Sequence, residues 1–97
     1  ALLIGYFEKD KLRYAGKIGT GYDEETLESL SDRLKSRERK TPPFDEDDLP
    51  SKGVHWVTPD LVCEAGFTEW TRDNKLRHPR FLGLRRDKAP EDVRKEA

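Results

Sequence analysis

Hydrophobic and polar residues alternate at the start of the chain in the pattern of a β-hairpin. Its two arms are Leu2 to Phe7 and Leu12 to Ile18, and the polar stretch Glu8 to Lys11 between them is typical of a turn. Because successive side chains of a strand point to opposite sides, alternate residues of the second arm are predicted to share one face. That face would hold Leu12, Tyr14, Gly16 and Ile18. We predict a hairpin over residues 1–21.

A helical pattern follows the hairpin. Asp23 is suited to cap the N-terminal end, and leucines at 27, 30 and 34 repeat at the spacing of one helix face. Basic residues favour the C-terminal end, and Pro42–Pro43 cannot continue a helix. We predict one helix over residues 23–40, with all three leucines facing the core.

The rest of the chain reads as an acidic, proline-containing loop over residues 41–53, followed by strands up to residue 88. β-rich stretches occupy residues 54–57, 61–71 and 76–84. Short antiparallel strands with a single helix are the layout of an OB-fold. We therefore predict a mainly β fold, an OB-fold: a small antiparallel Greek-key barrel with one helix between strands 3 and 4. Only four strands are visible, so the first strand either lies upstream of Ala1 or is lost.

Composition limits the chain to one small core. Of the 97 residues, 33% are hydrophobic and 40% are charged. We predict one domain over residues 1–93 and a charged tail over 94–97; the apolar opening without a methionine indicates an excised fragment. That opening is too short for a signal peptide or a membrane span. Cys63 is the single cysteine, which excludes an internal disulfide and favours a reducing compartment.

The net charge of −1 hides an uneven distribution. Residues 23–48 carry ten acids against five bases, whereas residues 72–88 carry seven bases against two acids. A locally basic patch can hold phosphate in a chain that is neutral overall, because the ligand responds to the local field. A solvated face without a ligand is the alternative, and charge alone does not decide between the two.

Other candidate chemistries are weaker. His55, Cys63 and His78 match no zinc-ligand spacing, so we predict no metal site. Lys17 follows a glycine but lacks the spacing of a phosphate-binding loop. Aromatic residues at strand positions are predicted to be core rather than a platform for stacked bases. They are Trp56, Phe67, Trp70 and Phe81.

The last third of the chain resembles a known family. The segment Glu69–Thr71, a short turn, Leu76–Pro79, Phe81 and Gly83–Arg85 are similar to the C-terminal region of bacterial ATP-dependent DNA ligases. The similarity is strongest to the ligases of multifunctional non-homologous end-joining proteins. Tyr14–Gly21 also resembles a hairpin of that family, so the similarity covers nearly the whole chain.

Residues Arg85–Lys88 fit the last signature motif of the nucleotidyltransferase ligases, Arg-x-Asp-Lys. The resemblance implies that the barrel swings over the nucleotide-binding domain. Arg85, Asp87 and Lys88 would then hold the β- and γ-phosphates of ATP as pyrophosphate leaves. The cationic donors would neutralise the growing charge, and Asp87 would hold a neighbouring base or the metal-bound geometry of the leaving group. ATP and Mg²⁺ would be held mainly by the nucleotidyltransferase domain and neither tightly by this fragment. A basic strand end with an incidental acid is the alternative.

The motif that supplies the adenylated lysine, Lys-x-Asp-Gly, is missing. The nearest segment, Glu8–Lys11, lacks the glycine. The resemblance therefore implies part of an enzyme: the parent is an ATP-dependent DNA ligase, a phosphodiester-forming nucleotidyltransferase, and the fragment should be inactive alone.

The resemblance also implies a clamp on nicked duplex DNA in bacterial DNA repair and recombination. Glycines beside Lys17 and Thr20 allow a phosphate backbone to approach closely. The other candidate DNA contacts are Arg13, Arg72, Lys75, Arg77 and Arg80. Expected partners are duplex DNA with nicks or breaks, the nucleotidyltransferase domain and a Ku-type end-binding protein, in the cytoplasm at the nucleoid and not at a membrane. A stand-alone nucleic-acid-binding OB module without a catalytic role is the alternative.

Overall fold

A long antiparallel hairpin forms one side of the domain. The computed structural model describes residues 2–46, 49–50 and 52–95. In it, β1 (Leu2–Glu8) pairs with β2 (Lys11–Ile18) across a two-residue turn. Lys9 adopts a left-handed φ of 59° in that turn, which closes the hairpin tightly.

A β-bulge interrupts the second strand of the hairpin. Ile4 pairs with Gly16 whereas Gly5 pairs with Tyr14, which leaves Ala15 without a partner. The alternation of side chains reverses across such a bulge. The prediction of one shared face along the whole of β2 was therefore wrong. Gly16 has a φ of +124° and no side chain, so the polar and apolar pattern gave no sign of the reversal.

The helix α1 (Glu24–Lys35) begins where the sequence predicts. The Asp23 carboxylate accepts a hydrogen bond from the backbone N–H of Thr26 at 2.7 Å, which satisfies an otherwise unpaired donor of the first turn. This bond holds the pKa of Asp23 below its ordinary value. The cap is therefore retained as the pH falls, until the carboxylate protonates below the usual range for aspartate.

One part of the predicted leucine stripe faces solvent. Leu30 is buried and Leu34 packs against the core, as expected. Leu27 is 52% exposed, so its predicted core position was wrong. The helix contacts the sheet along a face narrower than the three-leucine pattern suggested.

The helix ends at Lys35, and the prediction that it continues to residue 40 was wrong. The N–H of Arg37 bonds to the carbonyl of Leu34 in a tighter turn. The chain then leaves as β3 (Glu38–Arg39), which pairs with β4 (Trp56–Val57). This pairing fixes the residues in an extended conformation. The predicted loop of residues 41–53 separates the two strands, and its residues 47, 48 and 51 lie outside the described residues.

Each of the two predicted long β runs divides into two strands. The four strands are β5 (Val62–Gly66), β6 (Glu69–Trp70), β7 (Leu76–Arg77) and β8 (Arg80–Arg85). β5 pairs with β8 and β6 pairs with β7, both antiparallel, so the two short hairpin strands extend from the longer pair. Asn74, at a φ of 61°, lies in the predicted turn between β6 and β7.

The core lies where the helix meets β2 and β8. Ile18, Leu30 and Phe81 form its buried cluster, and further buried residues lie in β1, β2 and β5. Tyr22 stacks on Phe81 at 5.1 Å between ring centroids and donates its hydroxyl to the carbonyl of Ile18 at 2.8 Å. Gly21 has a φ of +96°, and a Cβ there would lie 2.4 Å from the carbonyl oxygen of Phe81. Only glycine allows this close crossing of the two segments.

The barrel is not closed. Over the described residues, β1 pairs only with β2 and β5 pairs only with β8. Between them lies an apolar cavity of about 270 Å³, lined by β1, α1, β5 and the C-terminal tail. A first barrel strand outside the chain stays a prediction. In the described ranges, no helix has the length and apolar character needed to cross a bilayer.

The C-terminal tail folds back onto the domain. A short 3₁₀ helix (Pro90–Asp92) leads to Val93, whose carbonyl accepts a hydrogen bond from the N–H of Phe7 at 2.6 Å. Lys95 then donates to the side-chain oxygen of Asn74 at 2.6 Å, and its ammonium lies 5.1 Å from the ring centroid of Trp70. Residues 96 and 97 of the predicted tail lie outside the described residues.

Candidate phosphate and nucleic-acid interface

The Arg-x-Asp-Lys motif lies at the exposed end of β8. Arg85 is the last residue of the strand, and the next three residues form a bend. The Arg85 guanidinium donates from Nε to Oδ1 of Asp87 at 3.1 Å and from Nη2 to Oδ2 at 2.8 Å. The Arg85 side chain is 40% exposed and that of Asp87 is 70% exposed. A ligand can therefore reach this ion pair from solvent.

The pair stabilises the charged form of both partners. The hydrogen bonds from Arg85 lower the pKa of Asp87, and those same bonds raise the pKa of Arg85. The charge of Lys88 lowers the pKa of Asp87 slightly further. The charge of Glu64 raises the pKa of Arg85 slightly further. Asp87 is therefore a carboxylate at neutral pH.

Several candidate DNA contacts are exposed and have no acidic partner. Within residues 2–46, 49–50 and 52–95, no carboxylate lies within 4.0 Å of the charged groups of Lys17, Arg72 or Arg80. The guanidinium of Arg80 lies against Gly66, where a Cβ would be 2.8 Å from Cζ. The missing side chain of Gly66 thus leaves room for Arg80 to lie over the strand. Thr20 is also exposed.

Other candidates are already engaged within the domain. Arg13 donates to the carbonyl oxygen of Asp45 at 3.0 Å, and its Nε lies 3.7 Å from Glu8. Arg77 pairs with Glu69 at 2.9 Å. Lys75 donates to the carbonyl of Asp73 at 3.2 Å, and its ammonium lies 5.3 Å from the ring centroid of Tyr14. These residues would have to give up existing contacts to bind DNA.

The end of β2 and the residues that follow it approach β7 and β8. A Cβ at Gly16 would lie 4.0 Å from the backbone nitrogen of Leu76. Further along, the N–H of Phe81 donates to the carbonyl of Thr20 at 3.0 Å. Candidates that are far apart in sequence therefore come from adjacent segments. We call these residues the basic strip: Lys17, Thr20, Lys75, Arg77 and Arg80.

Sequence reasoning missed the acidic partners of these arginines. Glu69 lies directly across the β6–β7 pair from Arg77, whereas a two-residue turn at Asp73–Asn74 would have placed Glu69 opposite His78. Arg13 also donates to the backbone carbonyl of Asp45, which comes from the irregular loop, and no local pattern pointed to that contact. The contact of Lys95 with the β6–β7 turn was missed for the same reason.

The aromatic residues divide between core and surface. Phe81 is 3% exposed, as expected of a core residue, whereas Phe67 is 41% exposed and its predicted core position was wrong. Trp70 packs edge-on against Tyr6 and Phe67, at 5.4 and 5.7 Å between ring centroids. Among the residues that the structure describes, no three histidine, cysteine or acidic side chains gather as metal ligands.

Comparison with known proteins identifies the chain as similar to the C-terminal region of DNA ligases. A family model described as the ATP dependent DNA ligase C terminal region matches residues 1–88. The chain is 40% identical over 96 residues to the multifunctional non-homologous end joining protein LigD of Mycolicibacterium smegmatis. It is 36% identical over 102 residues to the LigD protein of Pseudomonas aeruginosa. Each match covers 96% of this chain but 12% of the relative.

Solved structures agree with the sequence comparison. The ligase domain from M. tuberculosis LigD matches with a TM-score of 0.86 and 38% identity, over 97% of this chain and 32% of that chain. A mycobacterial DNA ligase D complexed with ATP and MES matches equally well. The predicted fold class, a mainly β OB-fold, is confirmed, although the barrel is open over the described residues. The chain belongs to the family of C-terminal regions of ATP-dependent DNA ligases.

Proposed function

We propose that this chain clamps nicked duplex DNA and contacts the phosphates of ATP within a parent ATP-dependent DNA ligase. The observation that carries the proposal is the exposed Arg85–Asp87 pair at the end of β8, in a chain of the ligase family. The basic strip, together with Arg72, would provide the surface for the DNA backbone. Sealing of DNA breaks in repair is the corresponding role of the parent.

The motif would act while the enzyme becomes adenylated. Negative charge spreads over the phosphate oxygens as pyrophosphate leaves, and fixed cationic donors stabilise that charge. Arg85 and Lys88 are such donors, and Asp87 holds the guanidinium beside it. The lysine nucleophile, ATP and Mg²⁺ would belong mainly to the nucleotidyltransferase domain.

The DNA surface would work mainly through charge. Lysine and arginine contacts to phosphates release counterions, which makes binding strongly dependent on salt and only weakly dependent on sequence. The residues with no acidic partner within the described chain should contribute most. These are Lys17, Arg72 and Arg80, with Thr20 as a neutral donor. Arg13 and Arg77 should contribute less because they already pair with acids.

Salt dependence of DNA binding tests this ranking. In the parent ligase, Arg72→Ala and Arg80→Ala should each reduce the slope of log affinity against log salt by about 1. Arg77→Ala is the matched control and should change the slope less, because Glu69 already neutralises Arg77. Fluorescence anisotropy with a nicked duplex measures the slope. An equal effect of Arg77→Ala would contradict the ranking, and an affinity that does not change with salt would contradict the charge-based clamp.

Asp87→Ala in the parent ligase tests the phosphate role. We expect enzyme adenylation to be impaired more than sealing of nicks that already carry AMP, because only the first step releases pyrophosphate. Adenylation is measured by transfer of labelled AMP to the protein, and sealing by ligation of a pre-adenylated nick. Equal losses in both assays would refute the role in the first step.

The cellular setting is proposed from the relatives. Their printed names include non-homologous end joining, which supports a parent that repairs double-strand breaks. A Ku-type end-binding protein is the corresponding partner, and the nucleoid in the bacterial cytoplasm is the corresponding location. Co-precipitation of the parent ligase with such a protein on linear DNA tests the partnership.

A further inference from the structure

Asp87 occupies only one edge of the Arg85 guanidinium. An arginine carries five N–H donors, on Nε, Nη1 and Nη2. Asp87 accepts one from Nε and one from Nη2, which together form the side edge of the group. No acceptor among the described residues bonds to Nη1. The end edge, formed by Nη1 and the second N–H of Nη2, therefore remains available.

We propose that Asp87 is a positioning residue, which holds Arg85 by its side edge so that the end edge is presented to the departing pyrophosphate. This inference rests on the phosphate role proposed above and assigns different roles to Arg85 and Asp87. Asp87 acts through Arg85 and does not touch the phosphate. A carboxylate placed directly against pyrophosphate would be repelled by it.

The geometry favours this division over an incidental surface pair. An arginine that is 40% exposed would otherwise sample many rotamers, and fixing it only when the ligand binds would weaken binding. The two parallel bonds fix both the position and the plane of the guanidinium. Because the pKa of Asp87 is lowered, the pair persists over the neutral range and is lost only as the pH falls through that lowered value.

A double-mutant cycle in the full-length ligase tests the proposal. Asp87→Ala alone should slow adenylation about tenfold, the scale of a lost hydrogen bond to a charged group. In the Arg85→Ala background the same change should alter the rate by no more than about twofold, because the residue through which Asp87 acts is gone. A tenfold loss in both backgrounds would overturn the positioning role. Sealing of pre-adenylated nicks confirms that every variant is folded.

Two further variants separate this proposal from the proposed function. Asp87→Glu keeps two acceptor oxygens and should recover part of the rate, whereas Asp87→Asn replaces one acceptor with a donor and should not. Equal rates for the two variants would also overturn the positioning role. If Arg85→Ala itself leaves adenylation unchanged, the phosphate role fails. If Arg85→Ala slows adenylation but the cycle is additive, only the positioning role fails.

Discussion

Phe81→Ala is expected to lower the free energy of unfolding by about 3–5 kcal/mol, the usual cost of removing a buried aromatic side chain. Phe81 lies at the junction of the core, where it packs with Ile18 and Leu30 and stacks on Tyr22. Its loss would leave a cavity in contact with both the helix and β2. Small domains are stable by only about 5–15 kcal/mol, so a large share of the stability would be lost.

Leu82→Ala provides a matched control for this prediction. Leu82 is the next residue of the same strand but is 52% exposed, so its removal should change stability by no more than about 0.5 kcal/mol. Urea denaturation of the 97-residue chain, followed by tryptophan fluorescence, measures both variants. Comparable losses for the two substitutions would show that the packing at Phe81 is not the centre of the core.

Arg85→Ala should slow enzyme adenylation in the parent ligase by about 100- to 1,000-fold. This is the usual effect of removing one fixed donor aimed at developing charge. Arg85 is the residue of the motif whose orientation the structure fixes most firmly, through two hydrogen bonds to Asp87. Rapid-quench measurement of lysyl-AMP formation at saturating ATP gives the rate.

Arg86→Ala is the control for charge alone. Arg86 is the exposed neighbour of Arg85. Its substitution by alanine removes the same charge from the same segment. We expect the Arg86→Ala enzyme to be adenylated at a rate within about threefold of that of the unchanged enzyme. A surface charge that does not contact the ATP phosphates contributes little to the step. Similar losses for both arginines would mean that the net charge of the segment, rather than the orientation of Arg85, governs the step.

The elements that could be predicted from the sequence are those specified by neighbouring residues. The hairpin of β1 and β2 follows from alternation around a polar turn, and the start of α1 follows from the capping chemistry of Asp23. The motif at Arg85–Lys88 consists of consecutive residues, so its resemblance to the ligase family could be found without a structure. Each of these features needs only local information.

The features that the sequence did not predict depend on distant partners. Basic residues after Lys35 suit a helix end, but the backbone of Glu38–Arg39 pairs instead with Trp56–Val57, across a loop with no regular pattern. The hydrogen bond from Arg13 to the backbone carbonyl of Asp45 likewise joins residues that are distant in the sequence. Which basic residues remain available to DNA is therefore decided by tertiary contacts rather than by local charge.

The docked C-terminal tail has a consequence for how the motif can move. The residues between Arg85 and Pro90 are held at one end by β8 and at the other by the tail, which is bonded to Phe7 through Val93. So short a tethered segment has few conformations of its own. Under the proposed function, Arg85 would then approach a nucleotide only by a displacement of the whole domain, and that displacement would carry the basic strip along.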